Sequence, residues 1–206
     1  MRFPSEVITG TYLGLDLGQR RDYTALAVVR TATVYLGQEK VAYNFVKRDE
    51  LRVIHLARFE LGYPYTDLPV ALRGVIQQLD LSEPATLAVD ATGPGLPVVE
   101  VIRRSGLYAN ILSAMITGGA SSGTKSNNGV YTIARKELLS DLRVAIESRK
   151  LKTVPRLPLK DELRAELRTL EAESAAHSRA HDDLVFAVAL ALWAVKVRAP
   201  ARPRAA

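Results

Sequence analysis

The order of patterns along the chain predicts an α/β fold, with a mixed β-sheet and helices on both faces. The first third is rich in Val, Thr and Tyr, in segments separated by only a few residues, which favours antiparallel strands. The middle third alternates strand and helix patterns, an order that requires parallel strands joined by crossover helices. The last third carries three helical patterns that can cover the sheet.

Strand patterns open the chain, and they are Tyr12–Leu17, Tyr23–Tyr35, Val41–Val46 and Leu51–Phe59. Gly18 permits a tight turn after the first pattern, and Gly37–Lys40 is typical of a turn between the second and the third. Because the connections are short, we expect these strands to form an antiparallel meander.

Helix and strand patterns alternate in the middle of the chain. The predicted helices are Asp67–Asp80 and Leu96–Ser105, and the predicted strands are Ala85–Val89 and Ala109–Ile116. The segment that follows, Gly118–Gly129, is rich in Gly, Ser and Asn, as functional loops often are. We therefore expect a parallel half of the sheet that ends in a polar loop.

Helical patterns close the chain at Thr132–Arg149, Leu159–Glu173 and Asp182–Lys196. The second pattern has a leucine stripe with charged residues elsewhere, so it predicts an amphipathic helix at the surface. The third pattern is apolar nearly all round, so it predicts a buried helix.

The length of 206 residues suits a single domain. We expect this domain at residues 11–197, between an N-terminal extension at 1–10 and a basic tail rich in Pro, Ala and Arg at 198–206. The longest apolar run, Leu184–Val195, is too short to cross a bilayer, which takes about 20 residues. The first residues lack the apolar stretch of a signal peptide, so we expect a cytoplasmic protein with no membrane association.

Composition restricts the chemistry that the chain can perform. The formal net charge is +6, which indicates an anionic partner. The chain has no cysteine, so disulfides, thiolate metal sites and cysteine nucleophiles are excluded. It has only three histidines, so a metal ion would be held mainly by oxygen ligands, as Mg²⁺, Mn²⁺ and Ca²⁺ are.

Acidic residues stand at element ends that such a sheet brings together. Asp16 ends the first strand, Asp90 ends the first parallel strand, and Asp182 and Asp183 open the last helix. Neighbouring carboxylates repel one another unless cations bridge them, and two divalent ions about 3.5–4 Å apart can activate water against a phosphodiester. Taken singly, Asp16 and Asp90 also suit turns, and the aspartate pair also suits a helix cap. On the residues alone, both interpretations stay open.

Three sequence blocks, in this order and spacing, resemble the nuclease domain of phage large terminase subunits. The blocks are GLDLGQRRDYTALAVV from Gly14, VDATGPGLPVVEVI from Val89 and HDDLVFAVALALWA from His181. The resemblance extends from Tyr12 to Val195 and implies an RNase H-like fold. It also implies a metal-dependent endonuclease that cuts concatemeric double-stranded DNA while viral genomes are packaged.

The resemblance also implies roles for the acidic residues. The first catalytic carboxylate of the family falls on Asp16, the second on Asp90 and the third on Asp183, with Asp182 as a further metal ligand or a shaping residue. The implied cofactors are two divalent metal ions, Mg²⁺ or Mn²⁺, and the implied reaction is two-metal hydrolysis of a phosphodiester.

Full-length large terminases also carry an ATPase motor, and this chain departs from that pattern. It contains no GxxxxGK[ST] motif, and the nearest stretch inserts Thr124 between Gly123 and Lys125. The resemblance therefore implies an ATPase motor domain or subunit as a partner, together with a small terminase and a portal, in the cytoplasm of a host cell.

Three alternatives remain. The segment around Asp16 also resembles the phosphate-binding hairpin of the actin-like and heat-shock-chaperone ATPases, although that fold needs two such domains. A RuvC-like junction resolvase would share the fold and the metal chemistry. A DNA-binding module on the same fold would keep its function without Asp90.

Basic residues near the acidic positions are candidates for DNA contacts. Arg20 and Arg21 follow Asp16, Lys125 lies in the polar loop, and Lys136 begins the helical pattern after it. Each of the four also suits an ordinary solvated surface charge. No motif in the chain is typical of base recognition, so we expect weak sequence preference and a strong dependence on salt.

Overall fold

The structure is a computed structural model that describes residues 6–18, 22–38, 45–119, 123, 126, 128–173 and 182–198. The strands in these ranges are β1 (Glu6–Asp16), β2 (Ala25–Gln38), β3 (Phe45–Arg58), β4 (Ala85–Asp90), β5 (Ala109–Thr117), β6 (Val130–Ala134) and β7 (Leu151–Thr153). The helices are α1 (Leu68–Gln77), α2 (Gly95–Arg104), α3 (Arg135–Glu147), α4 (Lys160–Glu173) and α5 (Asp183–Arg198).

The described strands form one mixed sheet in the order β6-β5-β4-β1-β2-β3-β7. Strands β1, β2 and β3 pair antiparallel. Strands β4, β5 and β6 run parallel to β1, and β7 runs parallel to β3. The predicted mixed sheet, with antiparallel first strands and a parallel β-α-β part, is confirmed.

Helices cover both faces of the sheet, as the sequence predicts. Along β2, Ala25, Ala27 and Val29 face a core shared with α3, α4 and α5, whereas Leu26 and Val28 face a core shared with α1 and α2. This separation follows from the alternation of side chains along a strand. Because both faces are apolar, the central strands are buried on both sides.

Helix α5 is the buried helix that the sequence predicts, and it packs on β1, β2 and β4. Gly14 allows its close approach, because a Cβ there would lie 2.0 Å from the carbonyl oxygen of Ala187 and 2.6 Å from the nitrogen of Ala191. The approach places the start of α5 beside the end of β1. Among the described helices, none is long and apolar enough to cross a membrane.

Strand β3 corrects the predicted meander. The sequence predicts two strands, Val41–Val46 and Leu51–Phe59, where the structure has β3 alone, and residues 41–44 lie outside the described ranges. The polar run Lys47–Glu50 has the composition of a turn. It stays extended because each of its residues pairs with β2 and because Glu50 bonds the arginines two positions away on either side.

The helix predicted at Thr132–Arg149 is wrong at its start, because β6 extends to Ala134 and α3 begins at Arg135. Strand β6 has 5 residues and runs into α3 without a turn residue between them, so the two patterns merge in the sequence. Strand β7 is absent from the sequence prediction, because its 3 residues are too few to show an alternation.

The ends of the described fold bear on the predicted domain limits. Strand β1 begins at Glu6, inside the predicted extension, and α5 ends at Arg198, the first residue of the predicted tail. Residues 199–206 lie outside the described ranges. The division into extension, domain and tail stays a prediction.

Candidate functional site

Two of the predicted site residues end neighbouring parallel strands. Strands β1 and β4 pair with Leu15 opposite Val89, so Asp16 and Asp90 are the next residues on the two strands. Both carboxylates are partly buried. Their proximity follows from topology, because parallel strands that are in register end at the same edge of the sheet.

Helix α5 brings two further acids to this edge, since Asp182 precedes the helix and Asp183 is its first residue. The pKa of Asp16 is raised well above its usual range, first by burial and then by repulsion from Asp90, Asp182 and Asp183, while Arg135 partly offsets the rise. The structure therefore brings the four predicted acids into one electrostatic cluster. We call Asp16, Asp90, Asp182 and Asp183 the acidic edge.

Asp90 is oriented by the turn that follows β4. The backbone N–H of Thr92 donates to Asp90 Oδ1 at 2.8 Å, and the hydroxyl of Thr92 accepts a bond from the Ile116 N–H at 2.9 Å. Gly95 closes the turn, because a Cβ there would lie 2.4 Å from the Asp90 carbonyl oxygen. Burial raises the pKa of Asp90, and the bonds to Thr92 oppose that rise.

Asp183 is buried and its two oxygens have different surroundings. Its Oδ2 accepts a bond from Arg58 Nε at 2.7 Å, whereas Oδ1 is buried with no hydrogen-bond partner among the described residues. The same arginine also pairs with Glu166 of α4. Burial raises the pKa of Glu166 to about 7, against the opposing effect of the hydrogen bond from the Val185 N–H.

Asp182 is paired with the first residue of α3. Arg135 bonds Asp182 Oδ2 at 2.5 Å, and its guanidinium carbon lies 4.2 Å from the centre of the Phe186 ring. This cation–π contact and the ion pair hold the start of α3 against the start of α5. Arg135 therefore contacts the acidic edge, whereas the sequence pattern indicated its neighbour Lys136.

The predicted DNA contacts are only partly within the described structure. Lys136 is exposed on α3, beside Arg135. Arg20, Arg21 and Lys125 lie outside the described residues, so their roles stay predictions.

Three residues of this region were missed by sequence reasoning: Arg58, Arg135 and Glu166. Glu166 carried a usable signal, because it lies within the apolar stripe of α4, between Leu163 and Leu170. A single acid at a core position of an amphipathic helix indicates a buried polar partner. The two arginines carried no comparable signal. Arg58 ends β3 and Arg135 begins α3, and each of these elements contains several other charged residues from which the sequence does not distinguish it.

The donor chemistry of the acidic edge fits a hard divalent cation, because it consists of carboxylate oxygens. The unpartnered Oδ1 of Asp183 is a buried acceptor of the kind that a cation satisfies. Within the described ranges, however, no group of three or more His, Cys, Asp or Glu side chains is already arranged to hold a metal ion. Arg58 and Arg135 instead engage one oxygen each of Asp183 and Asp182.

Three solved structures to which the chain is similar are terminase nucleases or their nuclease domains. The human cytomegalovirus terminase nuclease domain, soaked with Mn and bound to an inhibitor, matches with a TM-score of 0.55 and 19% identity over 89% of this chain and 82% of that chain. The Mn-soaked domain matches with a TM-score of 0.50 and 18% identity, over 88% and 83%. The zinc-bound large terminase nuclease from thermophilic phage G20c matches with a TM-score of 0.49 and 19% identity, over 93% and 88%.

No protein-family model matches the chain, and no curated protein sequence matches it significantly. Since the identities to the solved structures are below 20%, the similarity establishes the fold. The expected RNase H-like fold, and the resemblance to terminase nuclease domains at the level of fold, are confirmed.

Proposed function

We propose that this chain is a metal-dependent endodeoxyribonuclease that cuts double-stranded DNA during viral genome packaging. The observation that carries the proposal is the convergence of four carboxylates, from the ends of β1 and β4 and from the start of α5 with the residue before it, on one edge of the sheet. An acid whose pKa is strongly raised, as that of Asp16 is, is typical of functional sites. The fold supports the same function, because the domain of human cytomegalovirus that shares it is a terminase nuclease that was soaked with Mn.

Each acid of the site has a proposed role. Asp16 would be the central ligand, because it ends β1, which pairs with the strand that carries Asp90 and packs against the helix that carries Asp183. Asp90 and Asp183 would help to hold two divalent ions, Mg²⁺ or Mn²⁺, and Asp182 would be a further ligand or a shaping residue. Bound there, the two ions would supply an activated water and stabilise the leaving oxygen of the phosphodiester.

The surrounding residues prepare the acids for this role. Thr92 holds the Asp90 carboxylate in one orientation, and Arg58 does the same for Asp183. The pKa of Asp16 is raised first by burial and then by three neighbouring acids, against one arginine that lowers it. Added cations therefore relieve a repulsion that the folded chain otherwise retains.

The proposal extends to the substrate and the partners. Lys136, with Arg20, Arg21 and Lys125, contacts the phosphates of the duplex, which gives affinity without base recognition. An ATPase motor domain or subunit, a small terminase and a portal deliver the DNA, in the cytoplasm of the infected cell.

Cleavage of supercoiled plasmid tests the function directly. We expect nicked and linear products with Mn²⁺ or Mg²⁺ and none with EDTA. Asp90→Asn should lower the cleavage rate by more than about 100-fold. Loss of a residue that only supports a metal ligand already lowers metal affinity or activity by about 10- to 100-fold, and Asp90 is a proposed ligand itself. The matched control is Asp141→Asn on α3, whose carboxylate pairs with Lys196 at 2.8 Å and which should cut normally.

Two outcomes would contradict the proposal. Full activity of Asp16→Asn, Asp90→Asn and Asp183→Asn would remove the acidic edge from the mechanism. A strong preference for four-way junctions over linear duplex would favour the resolvase alternative.

A further inference from the structure

The Asp183 carboxylate presents only one free oxygen. The side chain is 4% exposed, so bulk water does not satisfy it. Arg58 Nε occupies Oδ2 at 2.7 Å, and Oδ1 has no hydrogen-bond partner in the described part of the chain. A buried acceptor without a partner is costly, so its presence at the acidic edge requires an explanation.

Arg58 is itself fixed from three sides. It is the last residue of β3, and its guanidinium carbon lies 5.2 Å from the centre of the Tyr23 ring. Its terminal nitrogen pairs with Glu166, which is 5% exposed. The planar guanidinium therefore cannot turn freely, and its Nε stays directed at Asp183.

Glu166 connects this arginine back to α5. One carboxylate oxygen of Glu166 bonds Arg58, and the other accepts the backbone N–H of Val185 at 2.9 Å. Val185 lies two residues after Asp183 in the first turn of α5. The bonds thus join α4, β3 and the start of α5 around the Asp183 side chain.

We propose that Arg58 and Glu166 are positioning residues that restrict Asp183 to one ligand oxygen, Oδ1, toward a divalent cation. This inference rests on the proposed nuclease function. It deepens that function by assigning metal selectivity to residues that do not themselves bind metal.

The chemical consequence is a preference for small octahedral cations. Mg²⁺ requires near-octahedral geometry with short bonds, whereas Ca²⁺ accepts six to eight oxygens and readily takes both oxygens of one carboxylate. Because Asp183 Oδ2 accepts the hydrogen bond from Arg58, only Oδ1 of this carboxylate would be available to Ca²⁺. Mn²⁺, which also suits carboxylate and water ligands, serves as a measurable substitute for Mg²⁺.

Charge and geometry can be separated in the test. Removing Arg58 takes away a positive charge, which changes the affinity for every divalent cation by a similar factor. The ratio of Mn²⁺ affinity to Ca²⁺ affinity is insensitive to that change. A role limited to joining α4 and α5 would alter stability and leave the ratio where it was.

The experiment is calorimetric titration of Mn²⁺ and of Ca²⁺ into the purified chain without DNA, with urea unfolding of each variant in parallel. For Arg58→Gln we expect the Mn²⁺ to Ca²⁺ affinity ratio to fall by about tenfold. Glu166→Gln should lower the ratio in the same direction by a smaller factor. The double variant should equal Arg58→Gln alone, because Glu166 acts through the arginine.

Arg52→Gln is the matched control. Arg52 lies on the same strand and also bridges two acids, Glu50 at 2.8 Å and Glu6 at 2.5 Å. It lies six residues from Arg58, about 20 Å along the strand. Its loss should change stability and leave the metal ratio unchanged.

The outcomes separate the inference from the function on which it rests. Wild-type binding of Mn²⁺, with an unchanged ratio in a folded Arg58→Gln chain, would overturn the positioning role alone. Absence of Mn²⁺ binding by the wild type would overturn the proposed function as well. Should Arg58→Gln not fold, Glu166→Gln decides, and an unchanged ratio in that variant overturns the inference.

Discussion

The acidic edge and the surroundings of Glu50 on β3 both contain acids with little exposure, and they differ in how the acidic charge is compensated. On β3, Glu50 is 3% exposed and bonds three cations, with Arg48 at 2.6 Å, Arg52 at 2.8 Å and Lys152 at 2.5 Å. These bonds, led by the one to Lys152, lower its pKa to about 2. We call Glu50 and its three partners the Glu50 cluster.

The acidic edge has the opposite balance. Two arginines, Arg58 and Arg135, face four carboxylates there, and the pKa of Asp16 is raised well above its usual range. At Glu50, by contrast, three cationic side chains surround one buried carboxylate and compensate its charge. At the acidic edge the positive charge of the protein is smaller than the negative charge of the acids, and divalent cations would compensate the difference.

The largest expected difference between the two groups is their effect on DNA cleavage. It is measured by neutralising one acid in each group. Asp16→Asn should lower DNA cleavage by more than about 100-fold, since it removes a proposed ligand of the metal ions. The same change should raise the free energy of unfolding at neutral pH in EDTA, because it removes a carboxylate that burial and three neighbouring acids disfavour. Plasmid cleavage and urea unfolding measure the two effects.

The counterpart is Glu50→Gln, which should cut DNA at the wild-type rate. An Asp16→Asn chain that is inactive and also less stable than the wild type would mean that Asp16 is a structural acid like Glu50. That result would remove the contrast between the two groups.

Divalent cations should stabilise the acidic edge and not the Glu50 cluster. Mn²⁺ at about 100 times its dissociation constant should add about 2.7 kcal/mol to the free energy of unfolding. For a chain of this size, that is an increase in Tm of about 5–10 °C. Differential scanning fluorimetry should show the increase in the wild type and in Glu50→Gln, and a smaller one in Asp90→Asn. Equal increases in all three chains would place the bound cation elsewhere.

The Glu50 cluster should in turn control stability and its pH dependence. Glu50→Gln removes charge-assisted hydrogen bonds from a buried group, so we expect a loss of about 2 kcal/mol at pH 7. The pKa of Glu50 is lowered from its usual 4.5 to about 2, so its contribution is complete above pH 4.5. It is lost as the pH falls toward 2. Urea unfolding at several pH values should therefore show the two chains converging in acid, and a constant difference would contradict this assignment.

The sequence predicted the acidic edge because its members mark element ends. Asp16 and Asp90 follow apolar strands, and Asp183 opens an apolar helix, so topology alone brings them together. Their partners could not be predicted in the same way. Arg58 meets Asp183 across 125 positions of sequence, and Glu166 meets the same arginine across 108. Such contacts depend on which helix faces which strand end.

The Glu50 cluster illustrates the same limit within the fold. The run Lys47–Glu50 is polar enough to predict a turn, and its pairing with β2, together with the bonds of Glu50 to Arg48, Arg52 and Lys152, keeps it in a strand. Strand β7 itself has 3 residues, too few to be recognised before β3 is known. Local patterns predicted the sheet where strands are apolar, and failed where ion pairs across strands replace apolar contacts.

The smallest expected effect concerns DNA affinity, and two lysine variants measure it, one on the helix that begins at the acidic edge and one in the Glu50 cluster. Lys136 is exposed on α3 and follows Arg135, which bonds Asp182 of the acidic edge. Lys136→Ala should weaken duplex binding only a few-fold and reduce the slope of log affinity against log salt by about 1, the effect of losing one phosphate contact.

Lys152→Ala is the control. It should lower stability, because it removes one of the cations that pair with the buried Glu50 carboxylate, and it should leave the salt slope unchanged. Fluorescence anisotropy of a labelled duplex, titrated in EDTA at several salt concentrations, measures both slopes. Equal slopes in the two variants would mean that DNA does not approach the acidic edge along α3, and the phosphate contacts would then have to come from another side of the edge.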